Sequence, residues 1–171
     1  MTPIWIFLLI AMIFSALFSG TEIAFVTANK LKIDLDKKQG QFTAKILSSF
    51  LKQPAKFIGT MLLGNNIALV VYSIMAVELL EPFIEANISN NEVVVFVTQT
   101  IFSTLVVLFF VEFLPKAVFR INPNTVLTYA ALPLQITYFI LYPFTYFTVG
   151  ASNLILKLFK VDTSESDLAF C

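Results

Sequence analysis

Residues 4–28 read IWIFLLIAMIFSALFSGTEIAFVTA. The run is long enough to cross a hydrocarbon core about 30 Å thick, and the first basic residue of the chain is Lys30, beyond its end. A cleaved signal peptide needs a basic start and a small-residue cleavage site; neither is present, so the run reads as a retained membrane span. Yet it holds Ser15, Ser19, Gly20, Thr21 and Glu22. Ionisable or amide groups inside a span are costly, and by default they face a bundle interior, a cavity or an ion path.

Two further apolar runs repeat this pattern. Residues 57–80 contain Gly64, Asn65 and Asn66, and residues 93–114 contain Glu112 and stop at Pro115 and Lys116, where a proline and a charge together predict the end of a span. The chain as a whole is 58% hydrophobic and 13% charged. A soluble domain would be nearer 25% charged, so the expected class is an all-α integral membrane protein.

Between the first two spans, residues 29–56 carry seven lysines. Leu31, Ile33 and Leu35 precede Gly40, and Phe42, Ile46, Leu47 and Phe50 follow at near-helical spacing, which predicts two short amphipathic helices at the membrane surface. The next connection holds Glu81, Glu85 and Glu92 and no basic residue. Lysine-rich loops stay cytoplasmic, so the N-terminus and the acidic connection are expected outside, and Lys116 and Arg120 inside.

Residues 126–156 are apolar and long enough to cross but contain Pro133 and Pro143. Crossing would place Lys157 and Lys160 outside, against the bias. A bent, in-plane or re-entrant segment is the favoured reading, which gives three spans and leaves the C-terminus cytoplasmic. Residues 1–160 are taken as the membrane domain. Residues 161–171, with Asp162, Glu165 and Asp167, read as the start of a linker.

The chain has no histidine, and its single cysteine is Cys171. Soft-metal sites lack their ligands, so a bound metal would be a hard cation held by oxygens. Chemistry that relies on His or a central Cys is excluded, no phosphate-binding glycine loop is present, and no enzyme activity is expected. The zero net charge gives no argument for a nucleic-acid partner; membrane lipid is the expected surrounding.

Depth tests whether the polar residues can meet. At 1.5 Å per residue, Ser15 lies about 16 Å in from residue 4, and the asparagines lie about 13 Å from the inner end of their span. Glu112 is close to the inner end of the third. Ser15 and Ser19 are four apart and share a helix face, with Glu22 three further on. Asn65 and Asn66 are adjacent and cannot both face one point, so one is expected to coordinate and the other to brace a helix. Gly20 and Gly64 allow close approach of backbones or freed carbonyls. Such a set suits Mg²⁺, which keeps part of its water shell; Na⁺ is the rival. The plainer reading of each residue is packing or interhelical hydrogen bonding, with Glu112 pairing Lys116 at i+4.

Ser19-Gly20-Thr21-Glu22-Ile23-Ala24, Leu62-Leu63-Gly64-Asn65-Asn66-Ile67 and Glu112-Phe113-Leu114-Pro115-Lys116 together resemble the membrane domain of the CNNM/CorC family. The likeness covers nearly the whole chain. It implies a homodimeric magnesium transporter of the plasma (inner) membrane, generally an exporter and often proposed to use the sodium gradient. The implied fold is three spans with a cytoplasmic-side juxtamembrane belt. The implied ion-binding positions are Ser15 or Ser19, Asn66 and Glu112, with carbonyls near the glycines. ATP enters only through the CBS domains that usually follow, and the chain stops where they would begin. Leu69 stands where the family commonly has Asn, and Val111 where it commonly has Gly; if those places supply ligands, the ion shell here differs. A non-transporting anchor, a passive channel and a sodium transporter are the competing functions.

Overall fold

A computed structural model describes residues 2–158. Among these residues all regular structure is helical: α1 (Thr2–Thr27), α2 (Lys30–Lys38), α3 (Phe42–Leu51), α4 (Pro54–Asn87), α5 (Glu92–Val106), a π-helical segment (Val107–Phe113), α6 (Leu114–Ile121) and α7 (Pro123–Leu158). Four stretches are long and apolar enough to cross a membrane: Pro3–Thr27, Pro54–Asn87, Glu92–Ile121 and Pro123–Phe147. An all-helical integral membrane protein is therefore what the sequence folds into. The linker expected over 161–171 lies outside the described residues.

α1 and α4 form the central antiparallel pair. At one end Leu8 and Ala11 pack with Tyr72 and Ala76; at the other, Phe25 and Phe57 approach to 4.4 Å between ring centroids. The second end is closed by the hairpin α2–α3. Asn29 caps α2 through Lys32 N–H at 3.1 Å, and Gly40 takes φ +86° between the two helices, a conformation that costs glycine little. The expected helix pair broken near Gly40 is present. Its apolar side is largely spent inside the protein: Ile33, Ile46, Leu47 and Phe50 join Phe25, Phe57, Leu127 and Leu134 in one core, while Leu31, Leu35 and Phe42 stay exposed.

Three boundaries differ from the sequence expectation. Glu81 and Glu85 belong to α4, not to a loop; the helix runs to Asn87 with Pro82 inside it. Polarity marks where lipid ends, but a helix continues into water as long as its own backbone is satisfied. The helix of the third span does not end at Pro115 and Lys116 but persists to Ile121. The π-helical turn before the proline explains this, since such local adjustments re-satisfy the backbone that a proline disturbs; Leu114 N–H reaches back five residues to the Phe109 carbonyl. The last long segment is not broken at its prolines: α7 is one uninterrupted helix with Pro133 and Pro143 inside.

The π turn also solves a facing problem. Val95, Gln99 and Val111 are buried and Ser103, Val107, Pro115 and Phe119 half-buried, an inward stripe at every fourth residue. Steps of four overshoot the 3.6-residue turn by about 40° each, so an unbroken α-helix would swing the stripe away. The wider turn takes that drift back as the helix passes from its contacts with α4 to those with α1.

α7 starts beside the end of α1. Asn29 N–H donates to Asn124 Oδ1 at 2.9 Å, and Asn124 Nδ2 donates to the Asn29 carbonyl at 3.1 Å. Further on, Thr145 and Thr60 share a buried hydrogen bond of 3.0 Å. Thr145 is roughly 33 Å along α7, yet Thr60 is only about 9 Å into α4 at 1.5 Å per residue. α7 runs more across the bundle than along it.

Candidate ion site

The polar residues of α1 and α4 meet in the middle of the central pair. Ser15, fully buried, donates its hydroxyl to Asn65 Oδ1 at 2.5 Å. One turn on, Ser19 is also buried, and its Oγ has no hydrogen-bond partner. Spacing puts it on the same face as Ser15. A buried hydroxyl left without a partner bears its full desolvation penalty, of about 1–3 kcal/mol. Thr21 Oγ1 is a second buried oxygen without a partner, and it was legible only as part of the Ser-Gly-Thr-Glu string.

Both glycines serve close approach. A Cβ on Gly64 would lie 2.9 Å from the Phe18 ring, and one on Gly20 would collide with the Phe119 ring. Real Cβ atoms essentially never come so near, so the rings of Phe18 and Phe119 fill the space that a side chain would need. Both glycines sit within unbroken helix.

Other expected members stand apart. Asn66 is exposed on the outer side of α4, and Asn65 is the inward amide. Glu112 is in the π segment, where its carboxylate pairs with Lys116 Nζ at 3.8 Å, with side chains 33% and 43% exposed. That is the plain i+4 pairing, and at such exposure it adds little to stability. Glu22 is half-buried, and Pro115 lies half-buried at the start of α6. Val111, beside Glu112, is buried and Leu69 half-buried. Among the described residues no three of His, Cys, Asp and Glu cluster, and the oxygens that meet at mid-depth are neutral ones.

A cavity of about 320 Å³ opens between α1, α4 and α7, but Phe7, Phe14, Phe18, Ile67 and Ile140 line it, so it offers an ion almost nothing. Gln99, by contrast, is a buried amide of α5 that the sequence reading leaves out. The signal that finds it is the one that marks Asn65: an amide within an apolar span.

Known proteins can now be set against this geometry. The pattern of the family described as "CNNM: Cyclin M transmembrane N-terminal domain" matches residues 4–170. The UPF0053 inner membrane protein YfjD of Escherichia coli is 27% identical over 152 residues, 87% of this chain and 33% of that protein. UPF0053 protein MG146 of Mycoplasma genitalium is 30% identical over 142 residues, 82% of this chain and 31% of its own length. The chain spans about a third of the length of these relatives. With nearly the whole chain inside the matched region, the chain belongs to the cyclin M transmembrane N-terminal domain family.

Proposed function

We propose that this domain moves a hard cation, with Mg²⁺ as cargo, across the inner membrane through the seam between α1, α4 and the π segment. The observation that carries the reading is the buried oxygen set at mid-depth. Ser15 and Asn65 are bonded across it, and Ser19 Oγ lies beside them without a partner. A cation that keeps some of its water could take Ser15, Ser19 and Asn65 oxygens in place of the rest. Neutral ligands let it leave again, which transport requires. Glu112 adds the carboxylate when it turns from Lys116 towards the seam, and Asn66 offers its amide to an ion arriving from the other side. Export driven by sodium, a homodimeric assembly and an ATP response through further domains are the finer expectations that go with the family.

The topology proposed is three crossings, by α1, α4 and the helix from Glu92 to Ile121, with α7 as a belt on the side of the α2–α3 hairpin. Two features support it. Thr145 meets α4 at Thr60, near the inner end. Four of the five tyrosines, Tyr129, Tyr138, Tyr142 and Tyr146, are spread along α7, whereas a crossing helix concentrates tyrosine at its two interfaces. Lysine bias then puts the N-terminus outside and the hairpin inside.

Mg²⁺ flux into proteoliposomes is the test. Ser15→Ala and Glu112→Ala are expected to abolish most of the flux while the protein still elutes as a folded species. Wild-type flux in both would defeat the site assignment. The alternative is a membrane anchor whose polar groups only pack helices, and the tight seating of Phe18 on Gly64 and Phe119 on Gly20 favours it. That reading expects no cation binding by calorimetry and reduced stability in both variants.

A further inference from the structure

Just past the end of α1 lies a polar pocket, about 21 Å along the helix from Ser15 at 1.5 Å per residue. It is a cavity of about 270 Å³ between α2 and the first turns of α7, bordered by Lys32, Asp36, Gln41, Asn124, Thr125 and Tyr129, with Thr128 completing the wall. Each of these side chains carries a polar group, so the guest that fits is polar too. The pocket stands at the edge of the membrane. The first apolar span closes at Thr27, and Asn29, two residues on, exchanges its backbone N–H and carbonyl with the Asn124 amide at 2.9 and 3.1 Å. That is the level at which lipid head groups begin.

The wall is fixed, and two opposite charges stand on it. Asn124 is taken up by Asn29, Thr128 donates to the Asn124 carbonyl at 2.8 Å, and Gln41 N–H donates to the Asp36 carbonyl at 3.1 Å. The Lys32 ammonium, the Asp36 carboxylate, the Gln41 amide and the hydroxyls of Thr125 and Tyr129 remain for a guest. Lys32 and Asp36 are four apart on one face of α2, with Cβ atoms about 6 Å from each other. Base before acid is the weaker order for pairing along a helix, and no ion pair joins them; among the described residues neither has a charged partner. A plain anion would meet Asp36, and a plain cation would meet Lys32. A guest that carries both signs a few bonds apart satisfies both.

The pocket also has an apolar continuation. Tyr129, Leu132 and Ile136 follow one another at helical spacing on the outward face of α7, and all three are exposed. We propose that the pocket holds the head group of a zwitterionic phospholipid with a primary ammonium, a phosphatidylethanolamine in chemistry. The phosphate lies against Lys32 and the Thr125 hydroxyl, the ammonium donates to Asp36, and the acyl chains run along Leu132 and Ile136. Tyr129 stands at the join, where a ring with a polar tip belongs. A lipid so held bridges the hairpin and α7, whether or not the domain transports an ion.

Native mass spectrometry of the full chain in detergent, titrated with phospholipids of identical acyl chains, is the test. The ethanolamine lipid is expected to bind about fivefold more tightly than the choline lipid, whose methyl groups remove the N–H donors, and than the glycerol lipid, which has no cation. Fivefold is roughly what one exposed charge pair gives at the top of its usual range. Asp36→Asn should lower the ethanolamine lipid to the affinity of the choline lipid without weakening the glycerol lipid. Lys32→Gln should weaken all three. Lys38→Gln, at an exposed position turned about 120° from Lys32 around α2, should change nothing. Circular dichroism reads helix content in each variant; if one loses it, the ranking of the three lipids by the unaltered chain still decides. Choline or glycerol lipid bound at least as tightly as ethanolamine lipid, or a loss in Lys38→Gln as large as in Lys32→Gln, would overturn the proposal. So would full competition by soluble phosphoethanolamine at the concentration of the lipid, since a guest without chains would then suffice.

Discussion

Asn65 and Asn66 are neighbours in sequence and face different surroundings, because successive residues on a helix are turned by about 100°. Asn65 accepts from Ser15 inside the bundle, and Asn66 is exposed on the far side. Asn65→Ala removes the acceptor from a fully buried hydroxyl, so unfolding in detergent should show a loss of about 0.6–1.7 kcal/mol, the range for interhelical hydrogen bonds in membranes. Asn66→Ala should cost less than that. Equal losses, measured by denaturant titration, would mean that Asn66 is buried by something other than lipid. The site was legible in the sequence as far as residue type and depth allow: an amide and a serine at mid-span need partners. Which asparagine turns inward was not legible, because that depends on how α4 is rotated against α1, and only packing such as Phe18 on Gly64 fixes the rotation. Gln99 lacks a flanking motif, so only its energetic cost gives it away.

At the scale of elements, the helices were read well in their interiors and poorly at their ends. Glu81, Glu85, Pro115 and Lys116 all mark the edge of an apolar run, and all four lie within helix. The physical reason is that lipid and backbone set different limits: charge ends the hydrocarbon stretch, whereas a helix ends where its caps take over, as at Asn91, whose Oδ1 accepts from Val93 N–H at 3.0 Å. α7 is the element whose role depends most on placement. Spin labels at Leu132, Phe139 and Phe147, each exposed, should report similar shallow depths by oxygen and nickel accessibility if α7 lies as a belt. A gradient of depth from one interface to the other, spanning about 22 Å at 1.5 Å per residue, would mean that it crosses.

For the whole molecule, the hairpin α2–α3 and the α4–α5 turn are at opposite ends of α4, a helix of 34 residues. That is about 51 Å at 1.5 Å per residue, longer than a hydrocarbon core needs. Lys45→Cys and Asn90→Cys, both at exposed positions, should therefore react with an impermeant maleimide from opposite faces of the membrane, with Lys45→Cys on the cytoplasmic face. Reaction from one face would overturn the three-crossing arrangement. The core explains why the hairpin cannot be treated as an appendage. It shares Ile33, Leu47 and Phe50 with α1, α4 and α7, and Lys37 Nζ holds Ser48 Oγ at 2.9 Å between its two helices. The lysines on which the proposed orientation rests are thus carried by a unit that also closes one end of the bundle.

The π segment between Val107 and Phe113 has a mechanical consequence of its own. Its geometry is that of a dislocation in a crystal: slack held in the winding, which would shift along the helix if one hydrogen-bond register were exchanged for the next. If it glided one turn towards Ser103, everything between its old and new positions would rewind as ordinary α-helix and Glu112 would rotate about the axis relative to Asn65. A carboxylate now engaged with Lys116 would change its bearing with only a few bonds in transit at any moment, so the helix would act as a crankshaft.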